Sequence, residues 1–153
     1  MLSRRVVAAA PFAVLGAAAI VAGGGTAAAI AYRPTEHLVW MVAYLVLVVG
    51  VMQVVFGAGQ AWLAERAPSR GTAWGQCILF NLGNVGVIGG TLCNRTGMVA
   101  AGTLLFAAAV AWFLYGVRHC RVRAWANAYR VLLALIFLSA CIGLVISFVS
   151  HPA

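Results

Sequence analysis

The chain has 153 residues, is 65% hydrophobic and 8% charged, and carries a formal net charge of +8. A soluble domain has about 45–50% apolar and about 25% charged residues, so a water-facing globular core is excluded. The ten basic residues are all arginines, and they lie between apolar runs rather than in a cluster interleaved with exposed aromatics, which argues against a nucleic-acid surface.

Five apolar runs follow one another, at about residues 6–32, 38–63, 72–93, 97–117 and 131–149. Each is close to the roughly 20 residues that cross a hydrocarbon core of about 30 Å. The runs are continuous rather than alternating, which excludes a β-barrel and requires helices that satisfy their own backbone. The expected fold is all-α: one integral membrane domain over residues 1–153, a transmembrane bundle of five helices in contact with lipid.

The first run, Val6 to Tyr32, is rich in Ala and Gly and follows Arg4 and Arg5. That pattern also fits a secretory signal cleaved near Ala29, Ile30 and Ala31, which would leave four helices. Its length exceeds the usual signal core of about 7–15 residues, so a retained helix is expected. Arg33-Pro34-Thr35-Glu36-His37 leads into the second run, whose Gly50, Gln53, Gly57 and Gln60 are spaced for one face. After Ala67-Pro68-Ser69-Arg70-Gly71 comes the third and most polar run, with Gly83, Gly86 and Gly90 on one stripe. Cys77, Asn81, Asn84 and Thr91 form another. Asn94-Arg95-Thr96 makes a tight turn into the fourth run, and the fifth carries Ser139, Gly143 and Ser147. Small residues let membrane helices approach closely, and amides bond across the contact. The stripes are therefore expected to be packing seams; a sharper alternative makes Gln53, Gln60, Asn81 and Asn84 polar bundle-interior residues around a ligand cavity.

Arginine asymmetry orients the chain. With the N-terminus inside, Arg4, Arg5, Arg66, Arg70, Arg118, Arg121, Arg123 and Arg130 are cytoplasmic, and only Arg33 and Arg95 are outside. The expected location is a bacterial-type inner membrane, with the C-terminus outside. The only two carboxylates, Glu36 and Glu65, sit in polar breaks. Without an intramembrane carboxylate or an evident filter, a small-molecule transporter is the weakest of three readings.

No CxxC pair joins any of the four cysteines, so neither a redox dithiol nor a zinc site is indicated. His119 lies among arginines and reads as a solvated position. His37 and His151 fall on the outer side, where two imidazoles could hold haem iron or copper.

The Arg33–His37 segment, with the long helix reaching Gly57 and Gln60, resembles the second helix of haem–copper oxidase and nitric oxide reductase catalytic subunits. Trp74, Asn81-Leu82-Gly83 and Gly89-Gly90 look like membrane segments of small proteins related to that superfamily. The resemblance spans roughly residues 30–117 and implies a haem b ligand at His37. It departs from the family in lacking the further intramembrane histidines that catalysis needs. Two functional readings follow: a non-catalytic accessory, assembly or stabilising subunit of a larger, respiratory-type membrane complex, or a haem b protein for electron transfer or gas sensing. The first calls for a membrane-protein partner or a second copy of the chain.

Overall fold

The computed structural model describes residues 2–120 and 123–150, with side chains from 4 to 120 and from 123 to 145. Arg121, His151 and the Ser147 side chain lie outside that description. The fold is an all-α transmembrane bundle of five helices: α1 Leu2–Ile30, α2 Glu36–Leu63, α3 Arg70–Leu92, α4 Thr96–Gly116 and α5 Arg123–Ser150.

Four of the five are long and apolar enough to cross a membrane; α3 falls short on apolarity. The reason is its amphipathic build. Its polar and small residues, Gln76, Cys77, Gly83 and Asn84 among them, are buried, whereas Trp74, Ile78, Leu82 and Val85 make an exposed apolar stripe. Averaging over such a helix dilutes its lipid-facing side.

Local chemistry sets the helix ends. The Thr35 hydroxyl accepts from Leu38 N–H to open α2, and Ser69 accepts from Thr72 N–H at 3.1 Å to open α3. At the end of α3, Asn94 takes a left-handed φ of 52° and Arg95 N–H bonds back to Gly90 C=O at 2.7 Å. This is a Schellman closure with Asn in place of Gly, and it turns the chain directly into α4.

Two seams bring backbones into contact. Between α1 and α2, Phe12 lies against Gly57, and a Cβ on Gly16 would sit 2.8 Å from Gly50 C=O. Between α3 and α4, a Cβ on Gly86 would meet Gly102 Cα at 2.7 Å, and one on Gly90 would meet Val99 N at 2.6 Å. The α2 and α3 glycine stripes are packing seams, as their spacing implies. The expected Ser139–Gly143 seam of α5 is not one, because a Cβ at Gly143 would meet nothing within 4 Å. The faces are divided, however: Gly50 and Gly57 serve α1, whereas Gln53 turns to Cys77 of α3.

The core is aromatic. Phe56 is fully buried, with ring centroids 5.9 Å from Phe80, 5.5 Å from Phe113 and 6.5 Å from Tyr129. Phe12 of α1 closes the group, 5.4 Å from Phe113. As a full member of the bundle, α1 covers residues that the four-helix alternative would leave bare.

One end of the bundle is tied by arginines. Arg5 donates to Ala61 C=O at 2.6 Å and Trp62 C=O at 2.9 Å, closing α2. Arg130 donates to Val117 C=O at 2.7 Å and Arg118 C=O at 2.9 Å, closing α4. Each satisfies carbonyls that a helix end leaves orphaned. Glu65 N–H bonds to His119 C=O at 3.1 Å, and Ala64 pairs with Cys120, so the two loops at this end are joined.

Two features differ from expectation. The last helix starts at Arg123 rather than near 131, because the segment contains no helix breaker and buries Ala126 and Tyr129. An apolar run marks membrane entry, and the helix extends beyond it. In addition, Leu45–Met52 of α2 is π-helical. The other helix ends fall within about one turn of expectation.

Candidate functional site

Opposite the arginine-tied end, α2, α3, α4 and α5 part to form a cleft of ≈ 620 Å³. Its origin lies in α5. Ala126, Tyr129 and Leu133 are buried, but from Leu135 to Val145 every described side chain is partly or wholly exposed. Beyond Leu133 the helix keeps only a thin contact with the core, through Ile136 and Ala140, and its Ser139 and Gly143 face the gap.

The opposite wall is a single stripe of α2: His37, Trp40, Tyr44, Val48 and Met52. Steps of four residues drift by about 40° in a helix of 3.6 residues per turn. The wider π turns reverse that drift, which keeps Tyr44, Val48 and Met52 in line. Trp40 and Tyr44 lie with centroids 5.1 Å apart. Tyr44 donates to Asn84 Oδ1 at 2.8 Å, and Asn84 donates to Phe80 C=O of its own helix at 2.8 Å. The cleft wall is thus braced through a buried amide. Arg95 and Thr96 stand at the mouth beside His37, while Val87, Val99, Phe106 and Ile136 line the depth. No carboxylate is among the lining residues.

The candidate residues named from the sequence are only partly brought together. His37 is at the cleft mouth, and His151 is outside the described residues. Gln53 is fully buried and donates to Cys77 Sγ at 3.5 Å. Asn81 donates to Cys77 C=O at 2.8 Å within its own helix. Gln60 is buried beneath Gly116 of α4. None of these four amides lines the cleft; Asn84 reaches it only through Tyr44. His119 is exposed at the other end, which also holds a recess of ≈ 380 Å³ lined by Arg4 and Arg70 but not by His119.

Sequence reasoning missed Tyr44, Arg95 and Gln76. The first had a readable signal, since His37, Trp40 and Tyr44 are spaced three and four apart on one helical face. Gln76 lies three residues after Ala73 and four before Phe80, which is core spacing. It is fully buried, and neither amide atom has a hydrogen-bond partner among the described residues. An unpaired buried polar group costs about 1–3 kcal/mol, so Gln76→Met should raise stability by about 1 kcal/mol. A denaturant titration in detergent measures this. A loss of stability would mean that the amide has a polar partner beyond the chain's own groups.

Comparisons with known protein families, curated proteins and solved structures find no match to this chain. What its own geometry defines is a membrane-spanning bundle, closed at one end by arginine caps and open at the other as a part-polar cleft.

Proposed function

We propose that this chain is a non-catalytic accessory or assembly subunit of a larger complex in a bacterial-type inner membrane, with its N-terminus in the cytoplasm and its C-terminus outside. The observation that supports it is the free side of α1. Phe12, Gly16, Ala19 and Gly23 are buried, the two glycines against α2 and Phe12 in the aromatic core. On the other side, Ala18, Ala22, Gly25 and Ala29 form an exposed stripe at spacings of four, three and four. Gly24 and Gly25 have nothing within 4 Å of where a Cβ would be. Lipid tails gain nothing from small side chains, whereas a second helix does. The orientation rests on the arginines: the tied end carries Arg4, Arg5, Arg66, Arg70, Arg118, Arg123 and Arg130, against Arg33 and Arg95 at the cleft end.

A photo-crosslinking residue at Ala22 should capture a membrane-protein neighbour in native membranes, while one at Val85, on the lipid-facing stripe of α3, should not. Cysteine in place of Arg95 should label with an impermeant reagent in intact cells, and cysteine in place of Arg70 only after lysis, both on a background without native cysteines. No adduct at Ala22 would remove the accessory role. An adduct at twice the chain's mass would replace the partner with a second copy.

A second reading is favoured by the position of His37. An imidazole at the mouth of an apolar cleft, with Arg95 nearby for propionates, suits one axial ligand of haem b. His119, the other imidazole among the described residues, is at the opposite end. Protein purified from haem-replete cells should then show a Soret band that disappears in His37→Ala. A spectrum without that band ends the haem reading.

A further inference from the structure

We propose that the cleft is a binding site for one acidic phospholipid, with its phosphate at Arg95 and one acyl chain lying between α2 and α5. Three observations converge on that occupant. The first is size: ≈ 620 Å³ lies within the range of about 300–1,000 Å³ typical of small-molecule sites. The second is depth. From His37 to Met52 the wall runs fifteen residues of α2, about 20 Å at the rise of a helix. One leaflet of hydrocarbon is about 15 Å deep, so the cleft reaches from headgroup level to the bilayer midplane.

The third observation is the order of chemistry along that depth. Arg95 and His37 are exposed at the mouth, and no carboxylate lines the walls. Arg95 immediately precedes the first turn of α4, whose N-terminus has no side-chain cap, so the helix dipole adds to the arginine's charge. Below them the walls are mainly apolar, with Val48, Met52, Val99, Phe106 and Ile136, and the hydroxyls of Thr91 and Thr103 are turned back to carbonyls of their own helices. A soluble anion would leave those walls unused, and a neutral hydrocarbon would leave the cationic mouth unused. An amphiphile with an anionic head matches both. Haem b is the competing occupant, and a Soret band in the purified protein that is lost in His37→Ala would overturn the lipid assignment. Ser139 and Gly143 of α5 are exposed and line the cleft, which gives the chain a lateral way in from the bilayer.

The structure also supplies a way to fill the site without disturbing the bundle. A Cβ at Gly143 would meet nothing within 4 Å, so Gly143→Leu should fold and project into the cleft. Full-length protein in detergent is titrated with phosphatidylglycerol, phosphatidylcholine or glycerol phosphate and read by native mass spectrometry and melting temperature. Phosphatidylglycerol should be retained as a single adduct and raise the melting temperature; the other two should not. Arg95→Gln should weaken retention by about tenfold, the size of one charge-assisted contact. Arg33→Gln, a charge at the same end but outside the cleft lining, should leave it unchanged. Gly143→Leu should abolish the adduct while keeping the melting temperature of the unliganded protein. Equal losses in Arg95→Gln and Arg33→Gln would reduce binding to general surface charge and overturn the site. So would equal retention of phosphatidylcholine, a glycerol phosphate adduct, or undiminished binding in a folded Gly143→Leu. If that variant does not fold, the two arginine variants still decide.

Discussion

Gly102→Ala is expected to destabilise the bundle by about 3 kcal/mol, and Gly102→Leu to prevent its assembly. The added Cβ would lie 2.5 Å from Val87 N, 2.6 Å from Gly86 C and 2.7 Å from Gly83 C=O. All three are backbone atoms of α3, so no rotamer change relieves the overlap and the helices must move apart. The seam from Gly83 to Gly90 would open along its length. In lipid this matters more than in water, because close backbone approach is itself a main source of helix association. Gly143→Ala is the matched control, since its Cβ enters open space, and it should stay within about 0.5 kcal/mol of the parent. Unfolding titrations in mixed micelles compare the two. Equal stability of Gly102→Ala and the parent would mean that α3 and α4 do not pack by this seam.

Phe56→Ala should be the next most damaging change, at about 2–4 kcal/mol. In a soluble protein, loss of apolar transfer energy would add to the cavity term. Here the unfolded reference is also apolar, because lipid tails solvate a phenyl ring about as well as a core does. What remains is the cavity and the lost ring contacts, and Phe56 has three aromatic neighbours and no exposure. Tyr129 also donates to Phe56 C=O at 2.7 Å, so collapse around the hole would strain that bond. Phe137→Ala, on an α5 side chain that is 38% exposed, should cost under about 1 kcal/mol. Similar losses at both positions would argue against the aromatic core as the centre of packing.

The number of helices and the glycine seams of α2 and α3 were legible because both follow from composition along a single helix. The partners of those seams, Gly16 and Gly102, were not singled out, and Gly143 was assigned to a seam it does not form. Runs of apolar residues identify spans, and Gly83, Gly86 and Gly90 at spacings of three and four identify a seam. Contacts that cross the chain were not legible. Arg5 and Arg130 bind carbonyl oxygens, which every residue possesses, so no side-chain pattern announces the pairing. The π turns of Leu45–Met52 lie in an almost uniformly apolar stretch, where nothing in the residue types marks helical register. The cleft was hidden for a third reason. It depends on how closely α5 packs beyond Leu133, and most of the exposed residues there are as apolar as buried ones would be. His37 was found as a chemical group, but its neighbours Trp40 and Tyr44 acquire meaning only once the opposite wall is known.

Arginine caps at one end and a thinly packed half of α5 at the other make that helix a lever on one joint. The joint is the inner half of α5, held by Tyr129, Arg130 and Leu133. The arm from Leu133 to Val145 is twelve residues, about 18 Å of helix, and touches the core through Ile136 and Ala140. A tilt of about 10° at that joint would swing the tip of the arm by roughly 3 Å, about a third of the distance between touching helices. The width of the cleft is thus sensitive to one angle, with leverage supplied by the helix itself.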